Sequence, residues 1–257
     1  MPRLRFASLG SGSRGNATLV QAAETLLLVD CGFPARELER RCQGLGIDPG
    51  EIDGVLVTHE HGDHLRGVGP VARRYGMPVW MTHGTHRAGR CGALPEVRLF
   101  NSHDGGIGIG ALRVTPFAVP HDAREPCQFV FAHRGLRLGL LTDTGSLTPR
   151  ARGVLDGVDA LLLECNHDPG MLASGPYPPA LQARVGGDYG HLANAQAAAL
   201  LAQIDHPRLQ HLVAGHLSEK NNRPELAVAA LLGVDAGLES RLRVLAQART
   251  SGWFELA

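Results

Sequence analysis

The chain has 257 residues, 44% hydrophobic and 19% charged, and its 25 basic and 25 acidic side chains cancel to a formal net charge of zero. That apolar content supports a sizeable core and excludes a disordered chain. The charge balance excludes attachment to nucleic acid or anionic lipid by bulk charge alone, while leaving room for a local basic patch.

In chain order, short apolar runs bounded by Gly, Pro, Asp or Asn predict strands at 4–9, 25–30, 54–58, 78–81, 97–100, 112–119, 128–132, 136–142, 158–164, 209–214 and 242–246. Helices are predicted at 34–44, which starts at Pro and stops at Gly, at 65–75, at the Ala- and Leu-rich 192–204, and at 224–232 after another Pro. This order suits an α/β chain with two mixed sheets packed face to face and helices outside, a four-layer αββα sandwich, as one domain over 1–257. The Gly- and Pro-rich segment 168–190 reads as a long loop, a candidate lid or substrate-facing element. No apolar run approaches the ~18 residues of a membrane span. Residues 1–6 lack the parts of a secretory leader. The five scattered cysteines form no Cys-x-x-Cys pair and suit a reducing compartment. A cytoplasmic location without membrane association is therefore expected; the oligomeric state is left open.

The strongest chemical signal is Thr58-His59-Glu60-His61-Gly62-Asp63-His64, placed between a predicted strand and a predicted helix. Strand alternation can project His59 and His61 to one side, and Asp63 and His64 open the next helix. Four ligand side chains on so short a tether do not suit one tetrahedral ion. Two adjacent ions fit better, His59 and His61 on one, Asp63 and His64 on the other.

This segment resembles the signature of the metallo-β-lactamase-fold metallohydrolases. Further elements of that family follow its order: Leu28-Val29-Asp30-Cys31-Gly32, Val119-Pro120-His121-Asp122, Thr142-Asp143-Thr144-Gly145 and Ala214-Gly215-His216-Leu217. The resemblance implies the αββα fold and two divalent ions. His59, His61 and His121 would hold one, Asp63, His64 and His216 the other, with Asp143 bridging. Imidazole and carboxylate donors suit Zn, Mn or Fe.

The segment from Gly190-His191 to Ala197-Ala198 resembles one in the tRNA 3′-processing endonucleases of the same superfamily, where the His serves the scissile phosphate. Here Leu192-Ala193 departs from the Ser or Thr of that pattern. As the opening residue of a helix, His191 would meet phosphate at a helix N-terminus. His167, at the end of the strand over 158–164, either lines the site or makes structural hydrogen bonds. His103 reads as a solvated turn, and His83, His86, His133, His206 and His211 as surface or capping groups. Arg184, like Arg14 and Arg124, lies in a loop-like segment and can clamp phosphate.

Ser8-Leu9-Gly10-Ser11-Gly12-Ser13, Glu164-Cys165-Asn166-His167-Asp168 and Ser218-Glu219-Lys220-Asn221-Asn222 narrow the resemblance to the YycJ/WalJ-type proteins, compact bacterial members described as 5′-to-3′ DNA exonucleases. The expectation is a dinuclear-metal hydrolase, a phosphodiesterase or nuclease using a metal-bridging hydroxide. Its substrate would be nucleic acid, with DNA ends or single strands favoured. Asp63 and His191 would be catalytic, and His191, His167 and Arg184 would bind substrate. A thioesterase or lactonase of the same fold is the alternative.

Overall fold

The computed structural model describes residues 4–257; Met1–Arg3, the start of the segment read for a leader, lie outside the described residues. The central strands are apolar on both faces because each sheet is covered on both faces. In β3 (Thr25–Val29) every residue is buried. Leu27 and Val29 enter the core between the sheets, while Leu26 and Leu28 pack in the outer helix layer, as a period of two requires. The late strand Ala160–Glu164 repeats the pattern, with Leu162 between the sheets and Leu161 and Leu163 against the helices.

Around β3 the first half contains β1 (Leu4–Gly10), β2 (Ala17–Ala22), β4 (Gly54–Leu56), β5 (Pro78–Thr82) and β6 (Glu96–Phe100). The second half contains β7 (Ile107–Ile109), β8 (Leu112–Ala118), β9 (Cys127–His133), β10 (Leu136–Leu141), β11 (Ala160–Glu164), β12 (His211–Gly215) and β13 (Leu242–Val244), and β14 (Phe254–Leu256) ends the chain. Among the described residues the sheets are seven-stranded, ordered β14-β1-β2-β3-β4-β5-β6 and β13-β12-β11-β10-β9-β8-β7. Each mixes antiparallel hairpins with a parallel set: β3 to β6 in one, β10 to β13 in the other. The helices are α1 (Ala35–Gln43), α2 (Gly62–Leu65), α3 (Val68–Tyr75), α4 (His83–Ala88), α5 (Pro149–Leu155), α6 (Pro169–Ser174), α7 (Pro179–Val185), α8 (Asn194–Leu201) and α9 (Pro224–Leu232). Leu38, Val68 and Val71 cover the first sheet; Ala151, Leu155, Leu200 and Leu231 cover the second. The result is the expected αββα sandwich. No helix among the described residues is long and apolar enough to cross a membrane.

The structure corrects several local expectations. Strands β2, β7 and β14 were not expected; β2 follows a Gly- and Ser-rich turn that masks it in the sequence. The segment 168–190 is not a loop, because it contains α6 and α7. Asp168 caps α6 by accepting from the Met171 amide at 2.9 Å, and both helices carry Pro in their first turn. Those prolines start helices rather than break them. The predicted helix at 65–75 is the end of α2 followed by α3.

Candidate metal centre

The site gathers where the parallel strands of both sheets end. β3 delivers Asp30, β10 delivers Asp143, β11 ends in Glu164 and β12 leads into His216. Asp30, Asp143 and His216 turn out of their strands with φ of 59°, 48° and 55°. Left-handed backbone at a residue other than Gly costs on the order of 1–3 kcal/mol and persists only where its surroundings enforce it. Two glycines allow the loops to close around the cluster. A Cβ on Gly32 would collide with the Asp63 carbonyl, and one on Gly145 with the backbone of Asp188 and Gly190.

His59 and His61 meet through the loop after β4 rather than by strand alternation, because β4 ends at Leu56. Their rings lie 4.6 Å apart, and both lie 4.9 Å from the ring of His121. His121 Nδ1 donates to the Gly190 carbonyl at 3.0 Å, which leaves Nε2 facing His61 Nδ1 at 3.2 Å. Asp63, His64 and His216 make a second group. Asp63 Oδ2 lies 3.5 Å from His64 Nε2 and 3.7 Å from His216 Nε2. Asp143 lies between the groups: its Oδ2 is 3.2 Å from His64 Nε2 and its Oδ1 is 3.6 Å from His216 Nε2. A donor atom of Asp143 also clusters with those of His59 and His64.

Two buried carboxylates orient these rings, and neither was given a role from sequence. Asp30 accepts from the Thr58 amide, the Thr58 hydroxyl and His64 Nδ1, each at 2.8 Å. Glu164, fully buried, accepts from His216 Nδ1 at 2.9 Å and His191 Nδ1 at 2.8 Å. Its other oxygen takes the Thr144 and Leu192 amides at 3.0 and 3.2 Å. Such partners fix the tautomer and aim the other ring nitrogen into the site. The signal for both was a carboxylate closing an otherwise apolar strand.

Burial opposes charge on all these groups, and neighbours outweigh it for the carboxylates. His64 and His216 hold Asp63 and Asp143 well below the usual carboxylate range, and His191 holds Glu164 down at about 2. Against the same burial, Asp143 and its companions push His216 up to about 10 and His64 well above its ordinary value. Burial wins for His59 and His121, which are pulled down. The pocket thus concentrates negative charge that needs cationic partners. His59 Nε2, Asp143 Oδ2 and His216 Nε2 are buried without a hydrogen-bond partner. Inward-aimed nitrogens and carboxylate oxygens without partners fit divalent cations.

The cluster floors a cavity of about 200 Å³ walled by His191, Arg184, Leu181 and Val185. His191 does not open a helix as expected. It precedes α8, whose first turn is capped when Gln196 accepts from the Ala193 amide at 2.8 Å, and Glu164 rather than the helix end holds its ring. Burial acts against it, yet Glu164 raises its pKa, favouring the imidazolium. Arg184, on α7, is tied by its Nε to Asp122 at 2.5 Å. Asp122 also lies 3.7 Å from His61 and 3.5 Å from His121, a neighbour not singled out from sequence. Tyr189, 65% exposed, precedes the wall residue Gly190 in the chain, its carbonyl held by the Asp122 amide at 3.0 Å. The structure does not bring His167 into this cavity; it lines a separate one on the other side of α7.

A model of the beta-lactamase superfamily domain matches residues 25–216, and the chain belongs to that superfamily. The chain is similar to an exodeoxyribonuclease YycJ of Bacillus anthracis, 37% identical over 227 residues covering 87% of this chain and 86% of the relative. It is also similar to an exodeoxyribonuclease WalJ of Streptococcus pneumoniae, 34% identical over 228 residues covering 87% and 85%. The metallo-β-lactamase fold protein YhfI of Bacillus subtilis shares the fold at a TM-score of 0.77 over all of both chains, with 15% identity.

Proposed function

We propose that the protein is a metal-dependent phosphodiesterase that acts as an exonuclease on DNA, at ends or on single strands. The observation that carries this reading is His191, whose Nδ1 is held by buried Glu164 at 2.8 Å on the wall of the metal cavity. An imidazole donor so oriented suits a phosphodiester, which stays anionic throughout its cleavage, better than a neutral ester or thioester. The names of the two curated relatives support the same substrate class.

In this reading His59, His61 and His121 would hold one divalent ion and Asp63, His64 and His216 the other, with Asp143 available to both. Zn, Mn and Fe all suit the donor set. The pair would supply Lewis-acid charge and a water of lowered pKa. The protein supplies the rest. Asp30 and Glu164 keep His64 and His216 aimed inward. His191 donates from Nε2 to a phosphoryl oxygen and can pass that proton to the leaving alkoxide, Glu164 stabilising the imidazolium meanwhile. Arg184, steadied by Asp122, adds a cation for the backbone phosphate. Tyr189, next in the chain to the wall residue Gly190, offers an exposed side chain on which a base can stack.

The test is hydrolysis by the metal-loaded protein of 5′- and 3′-end-labelled DNA, single- and double-stranded, and of bis-p-nitrophenyl phosphate, beside lactone and glutathione-thioester panels. Release of mononucleotides from DNA is expected. Thioester or lactone turnover without phosphodiester turnover would overturn the reading.

A further inference from the structure

Behind α7 lies a second cavity of about 430 Å³ that the proposed reaction does not use. Pro169, Leu172, Ala173 and Ala193 give it apolar walls, and His167 and Gln182 give it polar ones. The His167 residue is only 3% exposed, and its Nδ1 is buried without a hydrogen-bond partner. Gly186 lies over the other nitrogen: a Cβ there would stand 3.9 Å from Nε2, so the missing side chain leaves the ring open to the cavity. The backbone holds the residue in place independently of the ring. The His167 carbonyl accepts from the Asn194 amide at 2.9 Å, and the following amide, of Asp168, donates to the Asn221 carbonyl at 2.9 Å. Gln182 donates to the Ala173 and Gly175 carbonyls at 3.3 and 3.5 Å, which leaves its side-chain oxygen as an acceptor.

The cavity shares no lining residue with the metal cavity but adjoins it across the end of α7 and the segment that follows. Val185 lines one cavity and its neighbour Gly186 the other; His191 lines one and Ala193 the other. Two residues span at most about 7 Å, within the reach of one nucleotide. Apolar walls with a few fixed donors and acceptors suit a flat heteroaromatic ring.

We propose that this cavity is a nucleobase subsite, receiving the base of a nucleotide whose phosphate occupies the metal cavity, with His167 and Gln182 hydrogen-bonding its edge. Burial pulls the His167 pKa down, favouring the neutral ring, which has one donor and one acceptor nitrogen. The subsite rests on the nuclease reading and gives it a handle on the base as well as the backbone.

The experiment pairs two changes in the protein, His167→Ala and the cavity-filling Leu172→Trp, with one in the substrate. Single-stranded oligonucleotides carry either normal nucleotides or one abasic residue at each of the two positions nearest either end. KM is measured with metal, and Kd by fluorescence anisotropy in chelator; metal content checks the fold of each variant. At one position, loss of the base should weaken the wild type about tenfold, the scale of one or two hydrogen bonds plus apolar contact. Each variant should show a similar loss, and the two losses should not add. A wild type indifferent to abasic residues at all positions, or losses that add everywhere, overturns the subsite while leaving DNA cleavage standing. A wild type that hydrolyses bis-p-nitrophenyl phosphate but no oligonucleotide removes the nuclease reading and the subsite with it.

Discussion

The two sheets build the same centre in opposite ways. The first sheet contributes His59, His61, Asp63 and His64 from one loop and the short helix that follows. The second contributes His121, Asp143, Glu164, His191 and His216 from separate strand ends and connections, spread over nearly a hundred residues of sequence. The contiguous half needs only local backbone geometry to converge. The dispersed half needs β8, β10, β11 and β12 in correct register, with Asp143 and His216 in left-handed backbone at the strand ends. Each half has its own buried carboxylate, Asp30 for the first and Glu164 for the second. Of these two carboxylates, only Glu164 also touches a ring outside the seven proposed ligands, that of His191, so in the proposed reading the second half would supply a proton donor as well as metal ligands.

The largest expected effects treat the halves as one unit. Chelation should abolish phosphodiester hydrolysis, and Asp63→Ala on one side or Asp143→Ala on the other should each lower turnover of bis-p-nitrophenyl phosphate by ~10³-fold. Full activity in either variant would break the shared-centre account. A finer cut separates the halves. Asp30→Asn should weaken metal binding by roughly 10–100-fold through His64 alone. Glu164→Gln should weaken it similarly through His216 and in addition flatten the part of the kcat pH profile that belongs to His191; equal pH profiles for the two variants would contradict the division. His191→Ala should lower kcat by about 10²-fold with near-normal metal content, and metal loss in step with activity would make it a structural group instead.

A smaller effect concerns the metal-free protein. His216 is raised from 6.5 to about 10 in the fold, so its contribution to stability is complete below pH 6.5 and is lost as pH rises through about 10. Glu164 is lowered from 4.5 to about 2, so its share is present above pH 4.5 and is lost as pH falls through about 2. The Tm in chelator should therefore be highest between these limits and fall toward alkaline pH. A Tm that climbs from pH 7 to 10 would count against the charge arrangement. The smallest expected effect is that of Tyr189→Ala, a rise in KM for single-stranded DNA of ~5-fold, the low end of base stacking. Equal KM values for Tyr189→Ala and wild type would leave the ring without a part in binding.

Legibility followed the range of the interactions. The largely apolar runs at β3, β4, β10, β11 and β12 were readable because strands buried on both faces need not alternate. The 58–64 segment was readable because it concentrates ligands within one turn of chain. β2 was hidden behind Gly and Ser, and α6 and α7 behind prolines that look like breakers until their helix-start positions are known. Asp30, Asp122 and Glu164 lie inside segments that carried the family resemblance, but nothing local assigned them a role. Their partners are 34, 62 and 27 residues away at His64, Arg184 and His191.

Taken alone, the sequence determined the layered sheets and the residue types able to hold cations, since periodicity and donor chemistry are properties of short stretches. Only the tertiary structure decided which carboxylate orients which imidazole, that Arg184 is anchored by Asp122, and that His167 faces a cavity of its own. Those outcomes depend on where distant strand ends meet, and the hydrogen bonds that fix them exist only once both sheets have closed.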